Sequence, residues 1–457
     1  MEIEEARYNV NKNAGKTRQL IATVMANMYT FMAVVLLATL VSTYDQLGLI
    51  LRPQNNISFQ VVAPFSMLLG FPIARFSCEL YGRKFTLCIA AIPLTLCCVL
   101  LSVVENTLVL LTIAFALGGV GSALCLFTVP IYVAEISCDG IRGGLGTVRA
   151  IFMTIGLASA YLITYKRAFR DSAYIVMFFP LFLGLGFAFM PETPIYLYGT
   201  SGIEDTTKSL MQLRGNNQAC VTYELSRMRE NGQMMVSSKS YCFGKFFKDP
   251  GKRRGFIAAC GLLCGQSVWQ VITALHIWMH MHGLITADKV RVIPVIIFLT
   301  CQILGSIASS ILMRWGGRRQ LLFVSCIGTI IYFVAYVTIA LLPYNLHASV
   351  WILIPLAILS IIAYYAGIGT LPSVIATEVF PRAVLSLGYM WSVTISWIVL
   401  FLLVGLTSLI DIPAYTAALI NVGLCICYFV FIVAFVPETK GSNIEEIARG
   451  LRSGYKQ

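Results

Sequence analysis

Acidic and basic residues recur at fixed spacings where long apolar runs end. Glu79 and Arg83 are four residues apart, Glu135 and Arg142 are seven apart, and Arg382 follows Glu378. Such residues can form ion pairs worth about 0–1 kcal/mol when exposed and alone. Networks of them gain strength when an interface closes and water leaves. Within an apolar run, Gln266 and Gln270 share one helical face, with Thr273 a turn beyond. Neutral amides and hydroxyls in that setting suit hydrogen bonding to a neutral, hydroxyl-bearing solute. His276 and His280 are also one turn apart. That spacing permits metal binding or pH sensing, but interfacial packing is the commoner reason for such histidines. No HExxH occurs and no Gly-rich loop precedes a Lys-Ser/Thr, so the sequence predicts neither an enzyme nor a cofactor. Gly143-Gly144-Leu145-Gly146 reads as close helix packing.

The elements that must carry these residues follow from composition. Of 457 residues, 58% are apolar and 12% charged, about half the globular share of charge. With a mean hydropathy of +0.80, the chain has too little polar surface for a soluble fold. The apolar runs last 20 residues or more, the length an α-helix needs to cross about 30 Å of hydrocarbon. A transmembrane barrel would alternate polar and apolar residues over about ten positions instead. The expectation is an all-α membrane protein with twelve transmembrane helices. Six lie near 20–42, 57–77, 85–105, 108–133, 145–165 and 172–190; six more lie near 256–279, 290–313, 320–342, 349–376, 384–409 and 414–436. This gives a polar N-terminus (1–19), a six-helix bundle (20–190), a segment with short helices (191–255), a second bundle (256–436) and a polar tail (437–457).

An even number of spans places both termini on one side, and 27 of the 33 Lys and Arg fall there with the 191–255 segment. Positive residues stay inside, so both termini and that segment are expected in the cytosol. Lys166, Arg167 and Arg170 fall on the other side, without an evident reason. The net charge of +12 therefore marks membrane orientation; a nucleic-acid role would need a soluble basic fold. Ten of the fourteen cysteines lie in apolar runs, and Cys78, Cys138, Cys220 and Cys242 fall in segments assigned to the cytosol, so no disulfide is expected. The sequon at Asn56 lands outside, close to a helix start, and is a glycosylation candidate.

The halves repeat one another. Gly82-Arg83-Lys84 recurs as Gly317-Arg318-Arg319, Glu135 as Glu378, and Pro191-Glu192-Thr193 as Pro437-Glu438-Thr439, at offsets of 235, 243 and 246. Two parallel six-helix repeats around a central cavity make a transporter architecture. On these residues the chain resembles the sugar-transporter family of the major facilitator superfamily, and within it the insect facilitated trehalose transporters. The resemblance is carried by Glu79-Leu80-Tyr81-Gly82-Arg83-Lys84, Pro130-Ile131-Tyr132 with Glu135, and Arg142-Gly143. Pro191-Glu192-Thr193-Pro194, Glu378-Val379-Phe380-Pro381 and Pro437-Glu438-Thr439-Lys440-Gly441 complete it.

The resemblance implies a cytosolic gate built from Glu79, Arg83, Lys84, Glu135, Arg142, Glu192, Arg318, Arg319, Glu378, Arg382 and Glu438. The second half departs from the pattern: Arg314 stands at an expected acid, and Leu385 at the arginine expected seven after Glu378. Glu378 or Glu438 is therefore expected to pair with the Arg314/Arg318/Arg319 cluster. The family's sugar ligands are mostly replaced, with Ala150, Val271, Ser373 and Ser396 at positions that should hold Gln, Asn, Trp and Asn. Each lost neutral hydrogen bond costs about 0.5–1.5 kcal/mol. The substrate candidates are Asn27, Thr154, Gln266, Gln270, Thr273, Gln302, Thr370, Ser373, Ser396 and Trp397.

No Asp or Glu sits near the middle of a span, as a proton relay would need, so downhill transport is the better reading. The expectation is a monomeric, facilitative plasma-membrane carrier of trehalose, a hexose or another small neutral polyol. The partners it implies are that solute and the lipid bilayer, with no nucleic acid. Two alternatives remain open: a non-transporting, receptor-like or scaffold member, and a carrier of a different small solute, with or without proton coupling.

Overall fold

The computed structural model describes residues 15–50, 53–104, 107–165, 169–236, 243–284, 292–341, 346–409, 414–440 and 444–453. Among these the chain is helical throughout, without a strand. The first half contains α1 (Lys16–Ile50), α2 (Pro53–Leu80), α3 (Arg83–Val103), α4 (Leu108–Ile136), α5 (Arg142–Thr164), α6 (Phe169–Val176) and α7 (Phe179–Phe187). Four short helices follow: α8 (Pro194–Thr200), α9 (Ile203–Leu213), α10 (Gln218–Val236) and α11 (Phe243–Lys248). Next come α12 (Pro250–Leu284), α13 (Val292–Trp315), α14 (Arg318–Leu341), α15 (Leu346–Ala366) and α16 (Leu371–Val379). After a 3₁₀ turn at Arg382–Val384, the chain ends with α17 (Leu385–Leu409), α18 (Ala414–Phe435) and α19 (Ile444–Ser453).

Ten stretches among the described residues are long and apolar enough to cross a membrane. The remaining two expected spans lie in α2 and α12, helices of 28 and 35 residues. At about 1.5 Å per residue, both exceed the ~30 Å of hydrocarbon. Twelve transmembrane helices account for the fold.

Two expected continuous spans are broken. The sixth, read as 172–190, divides into α6 and α7 because Pro180 opens α7 and cannot donate a hydrogen bond back into the preceding turn. The tenth, read as 349–376, breaks at Gly367–Thr370 and resumes as α16, with Pro372 in its first turn.

The chain forms two compact units. The first runs to Phe246 and includes Pro381–Met390; the second comprises Phe247–Phe380 and the residues from Trp391 on. In the first, the edges of Tyr29 and Tyr132 meet the ring of Phe187, at centroid distances of 5.4 and 5.3 Å, which ties α1, α4 and α7 together. In the second, Trp269, Phe333, Tyr332, Tyr364 and Tyr428 form the middle of the core. Packing repeats with the sequence. A Cβ on Gly70 would lie 2.6 Å from the Cβ of Ala123, and one on Gly305 would lie 2.8 Å from that of Tyr365. Small residues at these crossings let α2 approach α4, and α13 approach α15.

Around the short helices, Ile195, Leu210, Val221 and Met228 make a separate small core. At the chain's end α19 buries Ile447 and Leu451 in the second unit, where Arg254 donates to the Leu451 carbonyl at 2.8 Å. Among the described residues every cysteine is a free thiol. The helix α2 includes Asn56, but its side chain lies outside the described residues, as do those of Gln270, Thr273, His276, His280, His282 and Arg314. Lys166, Arg167 and Cys242 are outside them altogether.

Candidate functional site

The repeated motifs fold into the same three-residue arrangement in each unit. In the first, Arg83 donates from its NH2 to Glu135 Oε1 at 2.7 Å, with the two side chains 11% and 2% exposed. Glu192 accepts the backbone N–H of Arg83 at 3.2 Å and of Lys84 at 3.0 Å. A carboxylate on the free N–H groups that open a helix satisfies donors left over by the helix and complements its dipole. In the second unit, Arg318 donates to Glu378 Oε1 at 3.1 Å, and Glu438 accepts the N–H groups of Arg318 and Arg319 at 3.0 and 3.1 Å. Gly82 and Gly317 are needed beside these carboxylates, because a Cβ at either would collide with Glu192 Oε2 or Glu438 Oε2. Gly82 also adopts a φ of +96°, which disfavours other residues. Burial raises the Glu192 pKa, against the lowering effect of its bonds to the Thr193 and Lys84 amides and of Arg83.

The geometry corrects two pairings read from spacing. Glu79 pairs with Arg75, one turn earlier, at 3.0 Å rather than with Arg83. Glu135 takes Arg83 and not Arg142. Arg142 instead donates to the Ala134 and Ser137 carbonyls and pairs with Asp139 at 2.7 Å. The physical reason is that the Arg142 guanidinium is taken up by the carbonyls and the Asp139 carboxylate beside it, whereas the start of α3 brings Arg83 to α4. Of the pairing expected with the Arg314/Arg318/Arg319 cluster, Glu378 takes the Arg318 guanidinium, Glu438 takes only the backbone N–H groups of Arg318 and Arg319, and the Arg314 side chain lies outside the described residues. Arg319 also donates to the Val433 carbonyl at 2.9 Å and lies over the Phe323 ring.

A second charged group surrounds Asp139. Its carboxylate takes Arg142 and, at 2.6 Å, Arg227 from α10. Beside it Arg214 holds Glu224 through two bonds of 2.7 and 3.0 Å. Burial acts to raise the Asp139 pKa, but Arg142 and Arg227 outweigh it and hold the carboxyl well below the usual range. The 3₁₀ turn that carries Arg382 packs against α10. At the start of α17, Ser386 donates to Glu79 at 2.7 Å, and Arg149 donates to the Tyr389 hydroxyl at 3.4 Å. Sequence reasoning missed Asp139, Arg227, Ser386 and Arg149. An arginine alone in an apolar run was the signal for Arg149; Arg227 had none, since its partner lies 88 residues away.

The polar candidates inside the spans divide into engaged and open groups. Thr154 bonds back to the Ala150 carbonyl at 3.0 Å. Gln266 donates to the Gly369 carbonyl at 2.8 Å, bracing the break in the tenth span. Thr370 shares a hydrogen bond with Ser309 at 2.8 Å, Ser373 reaches the Thr370 carbonyl, and Ser396 pairs with Ser267 at 3.3 Å. Trp397 is half-buried on α17. Asn27, fully buried, donates to the Thr23 carbonyl at 2.8 Å but leaves its Oδ1 without a protein partner. Gln302 likewise leaves its Oε1 open. Two residues not anticipated, Trp269 and Asn421, bury donors (Nε1 and Nδ2) without acceptors. Buried polar atoms are nearly always paired, and Thr23, Tyr29, Thr30 and Ser122 of the first unit leave hydroxyls open in the same way. No His, Cys, Asp or Glu cluster suited to a metal occurs among the described residues.

Comparison with known proteins places this geometry. The family model described as sugar (and other) transporter matches residues 22–451. Sugar transporter ERD6-like 6 of Arabidopsis thaliana is 27% identical over 383 residues, covering 81% of this chain and 77% of the relative. The facilitated trehalose transporter Tret1 of Bombyx mori is 23% identical over 406 residues, covering 86% and 78%. Among solved structures, the proton:xylose symporter XylE bound to 6-bromo-6-deoxy-D-glucose superposes with a TM-score of 0.75 at 16% identity, over 95% of this chain and 99% of that one. Its fold is that of the major facilitator superfamily. Since the match spans nearly every helix of both units, the chain belongs to the sugar (and other) transporter family.

Proposed function

We propose that this protein is a facilitative carrier of a small neutral solute, a sugar or polyol, moving it downhill by alternating access. The observation that carries the reading is the set of open polar atoms within the spans. In the second unit Gln302 Oε1, Trp269 Nε1 and Asn421 Nδ2 offer one acceptor and two donors, all uncharged. Hydroxyls donate and accept, so a polyol can satisfy both kinds, whereas an ion would leave its charge unmatched in an apolar surround. The trehalose transporter among the relatives supports a sugar, and the absence of an acid near the middle of any span supports uniport.

On this reading the charged end faces the cytosol of a plasma-membrane protein, as the bias of Lys and Arg suggests, and acts as its inner gate. The Arg83–Glu135–Glu192 and Arg318–Glu378–Glu438 sets stiffen each unit, while Ser386 and Tyr389 fasten the start of α17 to Glu79 and Arg149. The test is uptake of labelled trehalose, glucose and a polyol in a transport-null cell, with Gln302→Ala and Asn421→Ala as controls. Saturable uptake weakened by both substitutions supports the proposal. No uptake of any of the three, despite surface expression, favours a receptor-like member. The replacements at Ala150 and Ser373, and the engagement of Gln266 by Gly369, are what make that second reading worth testing.

A further inference from the structure

We infer that Arg142, Arg227 and Arg382 of the first unit form a binding site for a phosphate-bearing anion. Two of the guanidiniums hold one carboxylate, and the third sits on a turn packed against the helix that carries Arg227. Asp139 accepts from Arg142 at 2.7 Å through Oδ1 and from Arg227 at 2.6 Å through Oδ2, so each of its oxygens already holds an arginine. The nearby Glu224 is held in both oxygens by Arg214, whose charge balances it. Arg382, on the 3₁₀ turn packed against α10, makes no hydrogen bond or ion pair among the described residues.

Three positive charges against one negative leave an excess of two, which a phosphomonoester dianion balances and a single carboxylate does not. The planar forks of arginine match the tetrahedral oxygens of phosphate, with several short charge-assisted bonds. Asp139 is a quarter exposed (26%) and Arg227 is 17% exposed, so solvent reaches the carboxylate, while Arg142 is buried behind it. In agreement, burial and then the Arg142 and Arg227 charges depress the Arg382 pKa, outweighing the opposite pull of Asp139 and Glu224. Because Arg382 directly precedes α17, an anion held here would fasten the segment Pro381–Met390 within the first unit. The same phosphate chemistry is offered by free phosphate and by the headgroup of an anionic lipid.

The experiment uses the full chain in phosphatidylcholine nanodiscs and follows thermal unfolding. One arm titrates inorganic phosphate at constant ionic strength; the other replaces part of the lipid with phosphatidic acid. A binder of the native state raises the melting temperature in a saturable way. The expected result is such a rise in at least one arm, and which arm responds identifies the source. Arg382→Gln weakens the apparent affinity about tenfold, the size of one lost charged hydrogen bond. Asp139→Asn, which removes the competing carboxylate, strengthens it. No rise in either arm, or the same rise in Arg382→Gln as in the wild type, overturns the inference.

Discussion

Thr439 donates its hydroxyl to Glu378 Oε2 at 2.7 Å, while the corresponding pair in the first unit, Thr193 and Glu135, leaves both its Thr193 Oγ1 and Glu135 Oε2 without a partner. The two repeats share an ion pair and a helix cap but differ in this third bond. In the second unit both carboxylate oxygens of Glu378 are engaged; in the first one is spare.

Removing the hydroxyl should therefore act unequally. Thr439→Ala should lower stability by about 1–3 kcal/mol, because it strands a buried carboxylate oxygen, and Thr193→Ala by less. Thermal unfolding of the two purified variants, side by side, measures the difference; equal losses would contradict it.

The buried ion pairs predict a larger effect. Glu135→Gln and Glu378→Gln each leave a buried arginine without its counter-charge, a loss of about 3–5 kcal/mol. A double substitution Arg318→Met with Glu378→Leu removes both charges and should recover much of that loss. Folded yield and melting temperature report it, and failure of the double variant to recover would show that the pair does more than hold the helices together.

Acid dependence should separate Glu192 from Asp139. The raised Glu192 pKa means the folded state binds its proton more tightly than the unfolded state. Its contribution to stability therefore rises as pH falls from the folded pKa towards the ordinary value of 4.5. Glu192→Gln lacks that slope. Asp139 has a depressed pKa, so its contribution is fully present above the ordinary carboxylate range and is lost only in strong acid. The stability gap between wild type and Asp139→Asn should thus stay flat from about pH 5 to about pH 8. Melting temperatures across that range test both signs.

Much of the architecture was legible because a bilayer demands long apolar helices. The ends of α3 and α14 could be placed from Gly82-Arg83-Lys84 and Gly317-Arg318-Arg319 alone. The breaks in the sixth and tenth spans were signalled by Pro180 and by Gly367 and Gly369, but hydropathy averages over them. The pairing of charges was less legible. Spacing suggested Glu135 with Arg142, yet Arg83 reaches Glu135 from another helix, and tertiary packing of that kind has no local sequence signature. The Asp139–Arg227 bond joins parts of the chain 88 residues apart, and the open atoms of Trp269 and Asn421 emerge only when neighbouring helices are in place.

The contacts at the start of α17 predict a gating phenotype. Ser386→Ala and Tyr389→Phe remove the bonds to Glu79 and Arg149 without adding bulk. Both should speed the labelling of a cysteine introduced near this end of α17, by a few-fold for about 0.5–1.5 kcal/mol of lost hydrogen bonding each. Unchanged labelling would place the gate elsewhere.

The central claim, downhill movement of a neutral solute, is tested most directly with purified protein in sealed proteoliposomes preloaded with unlabelled trehalose, glucose or a polyol. Entry of labelled solute is then followed with and without an imposed pH gradient. The account predicts saturable exchange for at least one solute, at a rate the gradient does not change and without net accumulation. Accumulation that follows the proton gradient, or no exchange of any neutral solute by correctly folded protein, would contradict it.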